Sequence, residues 1–193
     1  IADLEAPVLE NVEVTEQGAD DIVTTGDTVK VSADITDSPA GVKDNVTVNA
    51  SALGGSDTVS LTASGDTYTG TFDVSDSSAE DGDVSLTVTA YDSLDHRNTA
   101  YDSVTLDTKQ PTINAVSISD NTDSNGVVAE EDEVFVEVNA TDKVSGVEKV
   151  TVDASSFNAG SVEISSADDS GNYTATFTAG TGDASDASVS VSA

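Results

Sequence analysis

Carboxylates and side-chain amides supply most of the chemistry this chain can offer. Asp and Glu number 37, against six Lys and Arg and a single His. Hard oxygen ligands in turns suit calcium, which takes roughly six to eight oxygens. The run Asn121-Thr-Asp-Ser-Asn-Gly-Val-Val-Ala-Glu-Glu-Asp places Asn121, Asp123 and Asn125 at alternate positions, then Gly126, and ends on Asp132. That spacing imitates an EF-hand loop, but it begins on Asn, ends on Asp, and no helical pattern flanks it. An ordinary connection between two strands is the competing reading. A second acidic group is expected where the two halves of the chain meet: Asp76, Asp81, Asp83 and Asp107 facing Asp142. Calcium there would stiffen the junction, and solvated acidic loops are the alternative. No cofactor is required, and calcium is the one ion the pattern admits.

Four Asn-x-Ser/Thr sequons are candidate glycan acceptors: Asn45-Val-Thr, Asn49-Ala-Ser, Asn139-Ala-Thr and Asn172-Tyr-Thr. In a chain this rich in Ser and Thr, several arise by chance. Strand phase puts Asn45, Asn49 and Asn139 on the outward side and Asn172 in a hairpin turn. Catalysis finds little support, and the chain is read as a non-enzyme. The one His, His96, lies in Ser93-Leu-Asp-His-Arg-Asn, a loop in which Asp95 serves turn chemistry. No Gly-x-Ser-x-Gly elbow, phosphate loop or dinucleotide fingerprint occurs. Paired carboxylates are too abundant to mark a glycosidase.

Strands must position these groups. Thr28-Val-Lys-Val-Ser-Ala-Asp-Ile, Asn45-Val-Thr-Val-Asn-Ala and Asp83-Val-Ser-Leu-Thr-Val-Thr-Ala alternate apolar with polar residues. That period of two, bounded by Gly, Asp and Asn, belongs to half-buried antiparallel strands. Strands are expected at about 8–15, 28–35, 43–50, 57–63, 67–74, 83–91 and 99–107, with no significant helix. The expected core is Val, Ile and Leu, helped by Tyr68, Phe72, Phe135, Tyr173 and Phe177, and Tyr91 and Tyr101 are expected to pack against the sheet.

An internal repeat appears when Pro7 is laid on Pro111. Val12 and Val14 then fall on Val116 and Ile118, and Asp27-Thr-Val-Lys-Val falls on Asp132-Glu-Val-Phe-Val. Asp37 to Val42 matches Asp142 to Val147, and Tyr68-Thr-Gly-Thr-Phe matches Tyr173-Thr-Ala-Thr-Phe. The reading is residues 1–6 as the tail of a preceding repeat or an extension, 7–108 as one domain, and 109–193 as a second whose last strand is missing. The short linker is Thr108-Lys-Gln-Pro. The register of the ends, with neither initiator Met nor signal peptide, favours a segment of a longer tandem array. The rival is a subunit that receives a donated strand.

The Asp-x-x-x-Gly-Val loops, the Tyr-Thr-x-Thr-Phe strands and Asp102-Ser-Val-Thr-Leu-Asp-Thr-Lys-Gln-Pro resemble the tandem immunoglobulin-like repeats of haloarchaeal S-layer-type surface glycoproteins and prokaryotic adhesins. The resemblance covers the whole chain. It implies two immunoglobulin-like β-sandwiches, an all-β fold, and an extracellular, cell-surface setting. A formal net charge of −31 opposes binding to nucleic acid or to an acidic membrane. No apolar run reaches the length of a membrane span. Without Cys, disulfides and thiolate chemistry are excluded. The same charge suits molar salt, where the Debye length falls to about 3 Å and self-repulsion is screened. The function expected is a structural spacer that associates with copies of itself or with neighbouring repeats. An adhesin, a virion appendage, a filament subunit completed by strand exchange, and a non-catalytic domain of a secreted enzyme are the competing readings.

Overall fold

A computed structural model of the 193-residue chain describes residues 3–18, 21–75, 78–123, 126–181 and 188–193. The chain is all-β and divides into two compact units, Ile1–Lys109 and Gln110–Ala193.

The first unit contains β1 (Val8–Glu16), β2 (Ile22–Val23), β3 (Thr28–Thr36), β4 (Thr47–Asn49), β5 (Val59–Ser60), β6 (Thr62–Ser64), β7 (Thr67–Asp73), β8 (Gly82–Tyr91) and β9 (Arg97–Leu106). One sheet has the order β1-β3-β7-β6 and the other β2-β9-β8-β4-β5. Alternation decides which faces meet: Val29, Val31, Ala33 and Ile35 of β3 and Val84, Leu86, Val88 and Ala90 of β8 all enter one core. Two layers closing on a single apolar interior are consistent with a β-sandwich.

Most expected strands form close to their expected limits, and the departures have local causes. The strand expected at 43–50 shortens to β4, although Lys43 still reaches the end of β8, its N–H donating to the Tyr91 carbonyl beside an isolated bridge of Val42 to Asp92. The strand expected at 57–63 breaks at Leu61 and changes sheet, β5 pairing with β4 and β6 with β7. Gly70 permits the crossing: a Cβ there would lie 2.7 Å from Leu61 Cδ2 and 2.9 Å from the Ser60 carbonyl oxygen. Two short 3-10 turns, Ser51–Leu53 and Ser155–Phe157, were not expected. Each begins where an Asx side chain, Asn49 or Asp153, accepts the N–H two residues on.

The second unit contains β10 (Thr112–Asp120), β11 (Glu133–Thr141), β12 (Val150–Asp153), β13 (Ser161–Ile164), β14 (Asn172–Thr178) and β15 (Ser190–Ser192). Its sheets are β10-β11-β14 and β13-β12-β15. The pairing of Val152 with Val191 has the form of Val48 with Val88 in the first unit. Val134, Val136, Val138, Val150 and Val152 form the centre of its core, and Phe157 packs on Phe177 with ring centroids 5.4 Å apart.

Tyr68, Tyr173 and Phe177 are buried as expected, and Phe72 packs partly buried against the first core. Phe135 falls on the other phase of β11 from Val134 and Val136, in the place Lys30 takes on β3, and lies outside the core. Tyr101 also differs from expectation. It stands 74% exposed because the alternate positions of β9, ending in Val104 and Leu106, face the core.

Candidate functional site

The Asp-x-x-x-Gly loops are backbone-capping devices. Asp37 Oδ2 accepts the Gly41 N–H at 2.7 Å, and Asp142 Oδ1 accepts the Gly146 and Val144 N–H groups at 3.1 and 3.0 Å. Both glycines have positive φ, +83° and +79°, a conformation that L side chains adopt at a cost. A short carboxylate followed four residues later by glycine therefore ties off the turn.

In the first unit this loop joins a larger acidic group that sequence reasoning missed. Carboxylate oxygens of Asp3, Asp37 and Asp92 lie within 4.8 Å of one another, the one such acidic group among the described residues. Every member already accepts hydrogen bonds. Asp3 takes the N–H groups of Glu5 and Ala40, and Asp92 Oδ1 takes those of Leu94 and His96. His96 Nδ1 lies 2.6 Å from Asp92 Oδ2. Burial pushes the Asp92 carboxyl up, yet the His96 side chain and the backbone donors outweigh it and hold the group below the ordinary carboxylate value. The same hydrogen bond raises the His96 pKa against the opposing effect of burial, with Asp3 and Asp37 adding to the rise. His96 is thus a positively biased pin in an acidic loop cluster. The signal available in the sequence was Asp92-Ser-Leu-Asp-His96, an acid and a histidine four residues apart after a strand.

The calcium candidates are distributed differently from this group. Asp81 is buried and accepts both the N–H and the hydroxyl of Thr108, at 3.0 and 3.1 Å. The Thr108 N–H holds its carboxyl below the usual range, with burial opposing and Lys109 assisting. Asp83 accepts the Thr105 hydroxyl at 3.1 Å. Asp107 is also buried, its N–H donating to the Val23 carbonyl. In the second unit, Asn121 donates to Glu133, and Asp132 Oδ2 accepts the Ala129 N–H at 2.6 Å. Asp132 therefore closes a turn, as Asp27 does through Thr24. Asp123 is exposed. Asp76 and Asn125 lie outside the described residues.

Of the sequon asparagines, Asn45 is exposed beside β4. Asn49 is exposed too, but its Oδ1 accepts both the N–H and the hydroxyl of Ser51, the third residue of its own sequon. Asn139 and Asn172 face each other across β11 and β14, with Asn139 Nδ2 donating to Asn172 Oδ1 at 3.0 Å. Asn114 donates to Asn139 in turn, making a three-strand amide ladder. Asn172 accordingly opens strand β14 rather than sitting in the turn, which Asp168 closes by accepting the Ser170 and Asn172 N–H groups.

No protein-family model, curated protein or solved structure matches this chain. Among the described residues, no helix is long and apolar enough to cross a membrane. A shallow polar groove of about 670 Å³ runs over β4, β8 and β9, bringing Asn45 and Asn49 beside Tyr91 and Arg97.

Proposed function

We propose that this chain is a structural spacer of an extracellular surface assembly that works at high salt, built from two immunoglobulin-like repeats. The strand orders support the immunoglobulin-like part of the reading. In the first unit β1-β3-β7-β6 has the A-B-E-D order, and β9-β8-β4 has the G-F-C order. The observation that carries the functional part is how the acids are used. A chain with a net charge of −31 spends Asp27, Asp37, Asp81, Asp92, Asp132 and Asp142 on fastening its own turns and loops within each unit. Rigid units with a hydrated acidic exterior suit spacing and self-association, and glycans on Asn45 are compatible with that exterior.

Thermal unfolding against NaCl concentration tests the reading. Raising the salt from about 0.1 M to about 1 M shortens the Debye length from roughly 10 Å to roughly 3 Å and should raise Tm. A Tm that does not change with NaCl overturns the high-salt reading. A filament subunit completed by an exchanged strand is the second reading, favoured by the exposed Val116 and Ile118 on β10.

A further inference from the structure

We propose that the polar groove over β4, β8 and β9 is a binding site for a neutral saccharide chain carried by another molecule. Strand register builds its floor. Residues directly opposite each other in a sheet share a face, and successive residues along a strand alternate faces. Because Val48, Val88 and Ala90 are buried, Thr47 opposite Thr89 and Asn49 opposite Thr87 point outward. β9 continues the same rows, with Thr99 opposite Thr89, Tyr101 opposite Thr87 and Arg97 opposite Tyr91. The groove of about 670 Å³ lies on this face, and Asn45 and Asp57 also line it. That volume falls within the roughly 300–1,000 Å³ of small-molecule sites.

Three observations set this face apart from the rest of the first unit. None of those paired positions is acidic, in a chain with 37 Asp and Glu, whereas the outward face of the other sheet holds Glu10, Glu13, Asp34 and Asp73. The chain's one Arg, Arg97, is exposed here, and among the described residues its guanidinium has no hydrogen-bond or ion-pair partner. Lys43, Lys109 and Lys149, by contrast, each meet a carboxylate. The hydroxyls of Tyr91 and Tyr101 are also without a partner among the described residues, and Tyr101 stands 74% exposed. The Tyr173 hydroxyl, in the second unit, donates to the Val147 carbonyl.

A sugar presents hydroxyls, each a donor and an acceptor, and a ring face of C–H groups. Planar polar side chains bond two neighbouring hydroxyls at once, and here the Arg97 fork and the Asn45 and Asn49 amides supply them. Asn49 Oδ1 is already taken by Ser51, which leaves its Nδ2 to donate. A tyrosine ring, negative on its face, receives the C–H groups while its hydroxyl joins the polar contacts. Charge selects a neutral ligand: Arg97 and Asp57 offset each other within the groove, and the chain's −31 opposes an anion. The proposal adds a ligand to the spacer reading without resting on it: a salt-independent Tm would overturn the high-salt reading and leave this one intact.

The test titrates the full 193-residue chain, produced in a host that does not glycosylate it, with neutral tetrasaccharides of glucose, mannose and galactose, followed by NMR. Saturable binding of at least one probe is expected at about 1 mM or tighter, with amide shifts confined to residues 45–49, 87–91 and 97–101. Arg97→Ala should weaken binding roughly tenfold, the loss expected for a charged hydrogen-bond donor. Tyr101→Ala should weaken it several-fold through the lost ring face, and neither substitution, both at exposed positions, should move Tm. Absence of binding by every probe at about 10 mM overturns the proposal, as does binding that ignores either substitution or maps to another face. Tighter binding of an acidic tetragalacturonate overturns the neutral assignment. In protein from a glycosylating host, binding that appears only after a sugar is released from Asn45 also overturns the proposal, because the chain's own glycan then fills the groove.

Discussion

Val14 on β1 and Ile118 on β10 hold matching places in the two units and meet opposite surroundings. Val14 is buried under β9, whereas Ile118 stays nearly half exposed. A second pair differs in the same instructive way. Gly70 on β7 lets the crossing chain between β5 and β6 approach its backbone, and β6 then extends that sheet to four strands. Ala175, its counterpart on β14, carries a methyl group, and among the described residues β14 is the edge of a three-stranded sheet. Similar alternation therefore yields differently completed sheets, because completion depends on what a neighbouring strand brings to each face.

The sharpest way to break this comparison is one substitution made at both members of a pair. Val14→Asp buries a charge without a partner and is expected to cost about 4 kcal/mol or more. Ile118→Asp should change stability by no more than about 0.5 kcal/mol, as exposed substitutions do. Denaturant titration of each variant checks this, and equal losses would mean that Ile118 is covered in solution. Gly70→Ala comes next: its Cβ meets backbone at the crossing, and overpacking of that kind costs about 1–3 kcal/mol. Ala175→Gly should cost about 1–2 kcal/mol, through chain entropy and the loss of a buried methyl group.

Where the units agree, matched variants should agree as well. Gly41→Ala and Gly146→Ala each force a side chain into the left-handed region and should cost about 1–2 kcal/mol apiece, in near-equal measure. A large inequality between their melting shifts would show that the two Asp-capped loops are not equivalent.

The smallest expected effect is a pH dependence confined to the first unit, which holds the chain's one histidine. The folded pKa of His96 is raised above 6.5, so its contribution is fully present below that pH and is lost as pH rises through the folded value. The folded pKa of Asp92 is lowered below 3.8. Its contribution is present above that pH and is lost as pH falls through the folded value. The pair therefore stabilises most between about 3.8 and 6.5. Asp92→Asn should flatten the alkaline limb and bring the His96 titration, followed by NMR, back toward its ordinary midpoint. A limb that survives Asp92→Asn would assign it to other groups.

Alternation was enough to place β1, β3, β7 and β8 nearly to the residue, because a two-residue period with Val on one phase has one low-energy placement against a core. The same rule misplaced Phe135 and Tyr101 when residue type was allowed to override phase; their positions had already assigned them outward. The capping Asp37 and Asp142 were legible as a motif, since carboxylate and glycine are four residues apart in the chain. The group of Asp3, Asp37 and Asp92 was not, because its members come from three distant segments and meet only once the strands pair.

The amino-acid sequence by itself determined the all-β class, the alternation of the main strands, the acidic exterior and the local Asp–Gly turns, all of which depend on residues within a few positions of one another. Tertiary structure alone decided which apolar faces are covered, where Leu61 carries the chain from one sheet to the other, and that Asp92 grips His96 within reach of Asp3 and Asp37. These outcomes depend on pairing between residues tens of positions apart. Chain alternation specifies that a face is apolar, but the strand laid against it decides whether that face is core or surface.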